Sequence, residues 1–133
     1  MSESKHAFRL ERAWRGVGWI GVGVVIVVSL FPDPLSLTAF EQEDKIGHAA
    51  AYAVLMLWFA QLHLARGPRL RIAAGLLALG VALELVQGWT GVRTFSYADM
   101  AADALGVALG WLAAPPRGPN LLARCARAFA GAS

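Results

Sequence analysis

Residues 72–89 read IAAGLLALGVALELVQGW, eighteen positions in which Glu84 and Gln87 are the only strongly polar side chains. A strand would be far shorter and would alternate apolar and polar positions, and neither holds here. As a helix rising 1.5 Å per residue the run covers about 27 Å, close to the hydrocarbon thickness of a bilayer. It reads as a transmembrane helix with an acid inside it. The whole composition agrees, with 57% hydrophobic and only 16% charged residues and a mean hydropathy of +0.52. A soluble domain carries about 25% charged residues. These values exclude disorder and argue against nucleic-acid binding. The single cysteine, Cys125, excludes an intramolecular disulfide and any cysteine-cluster metal site.

Working outward, three more apolar runs appear. Residues 16–31 contain no charge and stop at Pro32-Asp33-Pro34. Ser29-Leu30-Phe31-Pro32 is a poor signal-peptidase site, so this segment reads as a retained span, extended by Trp14 and a snorkelling Arg15. Residues 46–65 hold His48, Gln61 and His63 and end at Arg66-Gly67-Pro68. Residues 100–114 end at Pro115-Pro116. The expected fold is therefore all-α, a single membrane domain of four transmembrane helices packed as a small bundle. Its spans are about 16–31, 46–65, 72–89 and 100–114, with cytoplasmic tails at 1–15 and 117–133. Ala102, Gly106, Gly110 and Ala114 form a small-residue stripe that favours a close helix contact within the chain. The tail 120–130 mixes Leu121, Leu122 and Phe129 with Arg124 and Arg127, as an interfacial helix would.

Basic residues near span ends mark the cytoplasmic side. Lys5, Arg9, Arg12 and Arg15 precede the first span, Arg66, Arg69 and Arg71 join the second and third, and Arg117, Arg124 and Arg127 follow the fourth. These are ten of the twelve Lys and Arg residues. The bias and the even number of spans both put the two termini in the cytoplasm. Lys45 and Arg93 fall in the opposite loops with most of the acids, so the net charge of +3 conceals a segregation.

Mapped onto this topology, the polar residues gather at the outer side. Asp44, Lys45 and His48 open the second span, Glu84 and Gln87 lie near the outer end of the third, Arg93 is in the second outer loop, and Asp99 and Asp103 open the fourth. Asp44, His48 and Tyr52 are spaced four apart and share a helix face, as do Asp99 and Asp103. An ionised acid at the centre of a span costs about 2.5 to 3.5 kcal/mol, so Glu84 needs a partner, for which Arg93, His48 and Lys45 are candidates. Asp103 shares a face with Gly106 and Gly110, which turns it toward a helix interface. One histidine with three carboxylates has donors for a divalent cation, but no His-x-x-x-His or similar pairing is present, so neither a metal site nor a cofactor is expected. Glu84 and an oriented His48 could form a proton-transfer pair. Thr94 and Ser96 carry no nucleophile spacing.

The ordered set Asp44-Lys45-Ile46-Gly47-His48 with Tyr52, Glu84-x-x-Gln87, and Arg93-Thr94-Phe95-Ser96-Tyr97-x-Asp99, followed by Gly106 and Gly110, resembles the VanZ-like family of small bacterial membrane proteins. The resemblance covers roughly residues 44–111, and the first span matches only as a hydrophobic helix. It implies a bacterial inner-membrane location and an envelope role, and the family's founding member is associated with low-level resistance to the glycopeptide teicoplanin. It implies no established reaction. The family pattern falls on Asp44, Lys45, His48, Tyr52, Glu84, Gln87, Arg93, Asp99, Asp103 and Gly106. The family commonly has Asn where this chain has Asp103, which adds negative charge and puts any role of a neutral amide there in doubt.

Three functions are consistent with these residues. The first is an outward-facing pocket that engages an envelope component: a lipid-linked or peptidoglycan-related molecule, or a glycopeptide. Arg93 and Lys45 would pair with its phosphate or carboxylate. The second is an enzyme on a lipid-linked substrate, with His48 or Glu84 as acid-base and Arg93 stabilising developing negative charge. The third is a structural subunit whose polar cluster fixes helix packing. No polar track reaches the cytoplasmic side, which argues against transport.

Overall fold

A computed structural model describes residues 2–31, 41–91 and 93–130, with side chains for 6–31, 45–91 and 93–129. The Pro32-Asp33-Pro34 breaker and the Asp44 side chain lie outside the described residues. The described part is all-α, with no strands, in five helices: α1 Ser2–Leu30, α2 Glu41–Ala60, α3 Arg66–Thr90, α4 Tyr97–Ala113 and α5 Leu121–Ala130.

Among the described residues, two helices are long and apolar enough to cross a membrane, over His6–Leu30 and Arg66–Thr90. This is narrower than four spans. The apolar part of α2 is Lys45–Ala60 and α4 has 17 residues, which rise about 24 and 26 Å, short of a ~30 Å core.

Helix ends differ from the apolar runs because helix formation is decided by backbone partners and lipid solubility by side chains. α1 begins at Ser2 rather than near Gly16. Its charged first half is rich in Ala, Leu, Glu, Lys and Arg, all good helix formers. α2 stops at Ala60, five residues before the expected end. There Arg69 turns back to cap it, donating from Nη2 to the Ala60 carbonyl at 3.1 Å and from Nε to the His63 carbonyl at 2.5 Å. The Ala60 carbonyl is one of those that a helix end leaves without intrahelical partners. The Arg66-Gly67-Pro68 break opens α3, where proline is tolerated in the first turn. At its other end Gly91 takes the left-handed conformation, φ 69°, that terminates helices. α4 starts under a side-chain cap, with the Asp99 N–H donating to Ser96 Oγ at 3.2 Å.

The closest packing joins α2 to α4. A methyl at Gly106 would overlap the Ala49 carbonyl, and one at Gly110 would overlap the Ala53 carbonyl and crowd Met56. The stripe on α4 therefore serves an intramolecular contact, and the register runs parallel: His48 meets Asp103, Ala49 meets Gly106, Ala53 meets Gly110. α1 joins α2 through Trp14 and Trp58, whose rings stack at 3.9 Å while each indole N–H donates to the other's backbone carbonyl, at 3.0 and 2.8 Å. Two indole donors and two carbonyls are thus satisfied reciprocally, and such stacking adds about 0.5–1.5 kcal/mol beyond burial. The start of α5 is held by Gln61, whose Oε1 accepts from the Leu121 N–H at 2.8 Å.

Large apolar side chains cover much of the surface, while several polar groups are buried among the apolar residues of the core. Trp19, Ile20, Val28, Ile46, Leu85 and Leu105 are each more than half exposed, while Gln61, Arg69, Glu84, Gln87, Asp99 and Asp103 are buried. This inverts the arrangement that water imposes on a folded chain.

Candidate functional site

The α2–α4 contact builds the site. Because Gly106 lets α4 approach the Ala49 carbonyl, the position one turn earlier, Asp103, comes against the residue preceding Ala49. His48 Nδ1 and Asp103 Oδ1 stand 2.9 Å apart. A carboxylate accepts only, so Nδ1–H is the donor and the ring orientation is fixed. Asp103 is 2% exposed, far too buried for its charge to rely on water.

The third contribution comes from α3. Glu84, also 2% exposed, receives at Oε2 the backbone N–H of Ser96 at 2.9 Å. Ser96 therefore caps α4 with its side chain and holds Glu84 with its backbone. One turn before Glu84, Gly80 leaves room for α4: a methyl there would stand 2.5 Å from Asp103 Oδ2 and 3.3 Å from the Tyr52 hydroxyl. Tyr52 is 2% exposed, and its hydroxyl has no hydrogen-bond partner among the described residues. His48, Glu84 and Asp99 each place one ligand atom within 4.8 Å of the others. One imidazole and three buried carboxylates, from three helices, thus occupy a common interior.

A cleft of about 330 Å³ adjoins this cluster, between α1 and the start of α2. Val24, Val28 and Ser29 form one wall, His48 and Tyr52 the other, and Arg93 also lines it. It is thus apolar along one side and presents an imidazole, a phenol and a guanidinium. A larger cleft of about 610 Å³, lined by Trp19, Phe59, Ile72 and Leu76, also reaches His63 and Arg71 toward the opposite end, and no comparable cluster adjoins it.

Of the nine expected site residues, His48, Tyr52, Glu84, Asp99 and Asp103 converge, and Arg93 shares the cleft. Gln87 is buried but serves elsewhere, donating from Nε2 to the Ser29 carbonyl at 2.7 Å and so tying α3 to the end of α1. Lys45 lies half-buried one turn before His48, and both Lys45 and Arg93 have interaction partners. The Asp44 side chain is outside the described residues. Of the three candidate partners for Glu84, His48 places a ligand atom within 4.8 Å of it, while the Ser96 backbone N–H donates to it.

Three features escaped the sequence. The wall from Val24 to Ser29 lies on the helix whose sequence showed only apolar residues. Arg69 looked like a loop charge marking topology, yet it is buried. The donors of the metal-compatible triad are legible as residue types, but not their convergence, because the three ligands come from separate elements and have no linear spacing. The paired tryptophans and the buried Gln61 were visible as residues, but nothing in a linear pattern marks which carbonyl a side chain will reach. Comparison of the chain with family models, with curated proteins and with solved structures gives no match.

Proposed function

We propose that this chain is a four-span inner-membrane protein of the VanZ-like type, with both termini cytoplasmic, whose outward-facing pocket engages an anionic component of the cell envelope. The observation that carries this reading is the buried cluster of His48, Glu84, Asp99 and Asp103, whose His48 also lines the cleft that Arg93 lines. A packing device needs one polar pair to set register, and burying more ionisable groups costs free energy for no gain in packing. The cleft suits an amphipathic ligand, with an acyl or polyprenyl chain along Val24 and Val28 and a phosphate or carboxylate near Arg93. The inverted surface and the two long apolar helices support the membrane setting. The basic residues support the orientation, since Arg66, Arg69, Arg71 and Arg117 lie at the end opposite the cluster.

Binding is tested with protein in nanodiscs titrated with a polyprenyl phosphate. Arg93→Ala should weaken binding at least tenfold while the melting temperature stays within a few degrees of wild type. Loss of folding in both Arg93→Ala and Glu84→Gln would instead assign the cluster to packing. The His48–Asp103 bond at 2.9 Å favours a second reading, an acid-base enzyme on the same class of ligand, because it is how a catalytic imidazole is oriented. Turnover of a polyprenyl-phosphate lipid abolished by His48→Ala would select it.

A further inference from the structure

We propose that His48, Glu84 and Asp99 form the binding site of a divalent cation of the Zn²⁺ or Mn²⁺ kind. The three residues come from α2, α3 and α4, and one ligand atom of each lies within 4.8 Å of the others. Ligand atoms around a tetrahedral ion at ~2.1 Å are about 3.4 Å apart, so modest side-chain adjustment closes the set.

Two further observations point the same way. The first is that the supporting groups are in place. Asp103 Oδ1 engages His48 Nδ1, which orients the imidazole, and the Ser96 N–H engages Glu84 Oε2, which orients its carboxylate. Hydrogen bonds to the far atoms of the ligands are the usual outer shell of a protein metal site. The second is the Tyr52 hydroxyl, which is buried, lies beside Asp103 where α3 passes at Gly80, and has no partner among the described residues. Such orphans are rare. A water carried by the cation, or a carboxylate drawn toward it, supplies an acceptor.

Charge gives the reason for a cation here. Glu84, Asp99 and Asp103 are all at least nine-tenths buried, and carboxylates gathered in a low-dielectric interior repel one another unless positive charge stands among them. A divalent ion does this from within the cluster and makes the adjoining cleft hospitable to phosphate. The donor set of one imidazole nitrogen and two carboxylates suits borderline first-row ions better than Mg²⁺ or Ca²⁺, which take oxygen. The inference does not depend on what the cleft binds, because metal uptake can be read without any organic ligand.

The test uses the full chain in detergent, stripped with EDTA and titrated with ZnCl₂ or MnCl₂, with bound metal measured by mass spectrometry after desalting. About one ion per chain is expected, together with a rise in melting temperature. Asp99→Asn and His48→Gln should weaken uptake by more than tenfold. Asp103→Asn, which alters only a supporting group, should weaken it by about 10- to 100-fold. Each variant's helix content and melting in EDTA are recorded beside wild type. If a variant fails to fold, wild type loaded with Co²⁺ gives an independent readout, because nitrogen and carboxylate ligation produces visible absorption bands. Less than about a tenth of an ion per folded wild-type chain with both metals would overturn the proposal. So would full uptake in folded Asp99→Asn and His48→Gln.

Discussion

Arg69 shows how little a residue's class says about its work. In the sequence it is one of three arginines in a short loop. In the structure it is 4% exposed and spans the turn between α2 and α3, closing two carbonyls with one guanidinium. Hydrogen bonds from a charged donor contribute about 1.5 to 3 kcal/mol. Arg69→Ala should therefore lower the unfolding free energy by about that amount in detergent denaturation, whereas the exposed Arg71→Ala should change it by less than ~0.5 kcal/mol. Equal midpoints for the two variants would show that the cap does not contribute. Glu84 makes the complementary case. Its need for partners was legible from position alone, since an acid inside an apolar helix must be compensated. The identity of its donor was not, because the Ser96 N–H is backbone and carries no sequence signal.

At the scale of elements, the small-residue stripe on α4 was the most readable feature, and its partner was the least. A spacing of four with Ala102, Gly106, Gly110 and Ala114 says that another backbone comes close. Only the packed structure shows that α2 is the partner and that the register brings His48 to Asp103. Gly106→Ala should destabilise by about 1 to 3 kcal/mol, the usual cost of overpacking, because its new methyl meets a carbonyl that cannot retreat without moving α2. Gly23→Ala, with open space around the added carbon, should be neutral or gain up to ~1 kcal/mol of helix propensity. Thermal melting of the two proteins checks both, and comparable losses in each would refute the close-contact account. The helices α1 and α2 do not end where the apolar runs do, at 16 and 65, for one reason. Apolar runs report where lipid is tolerated, while caps such as Arg69 and helix formers such as those preceding Trp14 decide where the hydrogen-bonded ladder stops.

For the whole molecule, the exposed apolar side chains and the polar groups buried in the core fit a protein whose solvent is lipid on its flanks. Most of its basic residues fall toward one end and most of its acids toward the other. A reporter fused after Ser133 should read cytoplasmic, and a periplasmic signal would reverse the proposed orientation and place the cleft inside the cell. The sequence by itself determined the class, all-α and apolar, and the gathering of scarce polar residues toward one end. Both are properties of one helix at a time, fixed by composition, length and charge placement. Tertiary structure alone decided that His48, Glu84, Asp99 and Asp103 share an interior while Gln87 turns away to Ser29. It also decided that a wall of the cleft comes from α1, and that Tyr52 is left with a buried hydroxyl. Those outcomes depend on which helix faces approach and in what register. Backbone contact at Gly106 and Gly110, and the room Gly80 leaves for Asp103 and Tyr52, set that register across distances that no linear spacing records.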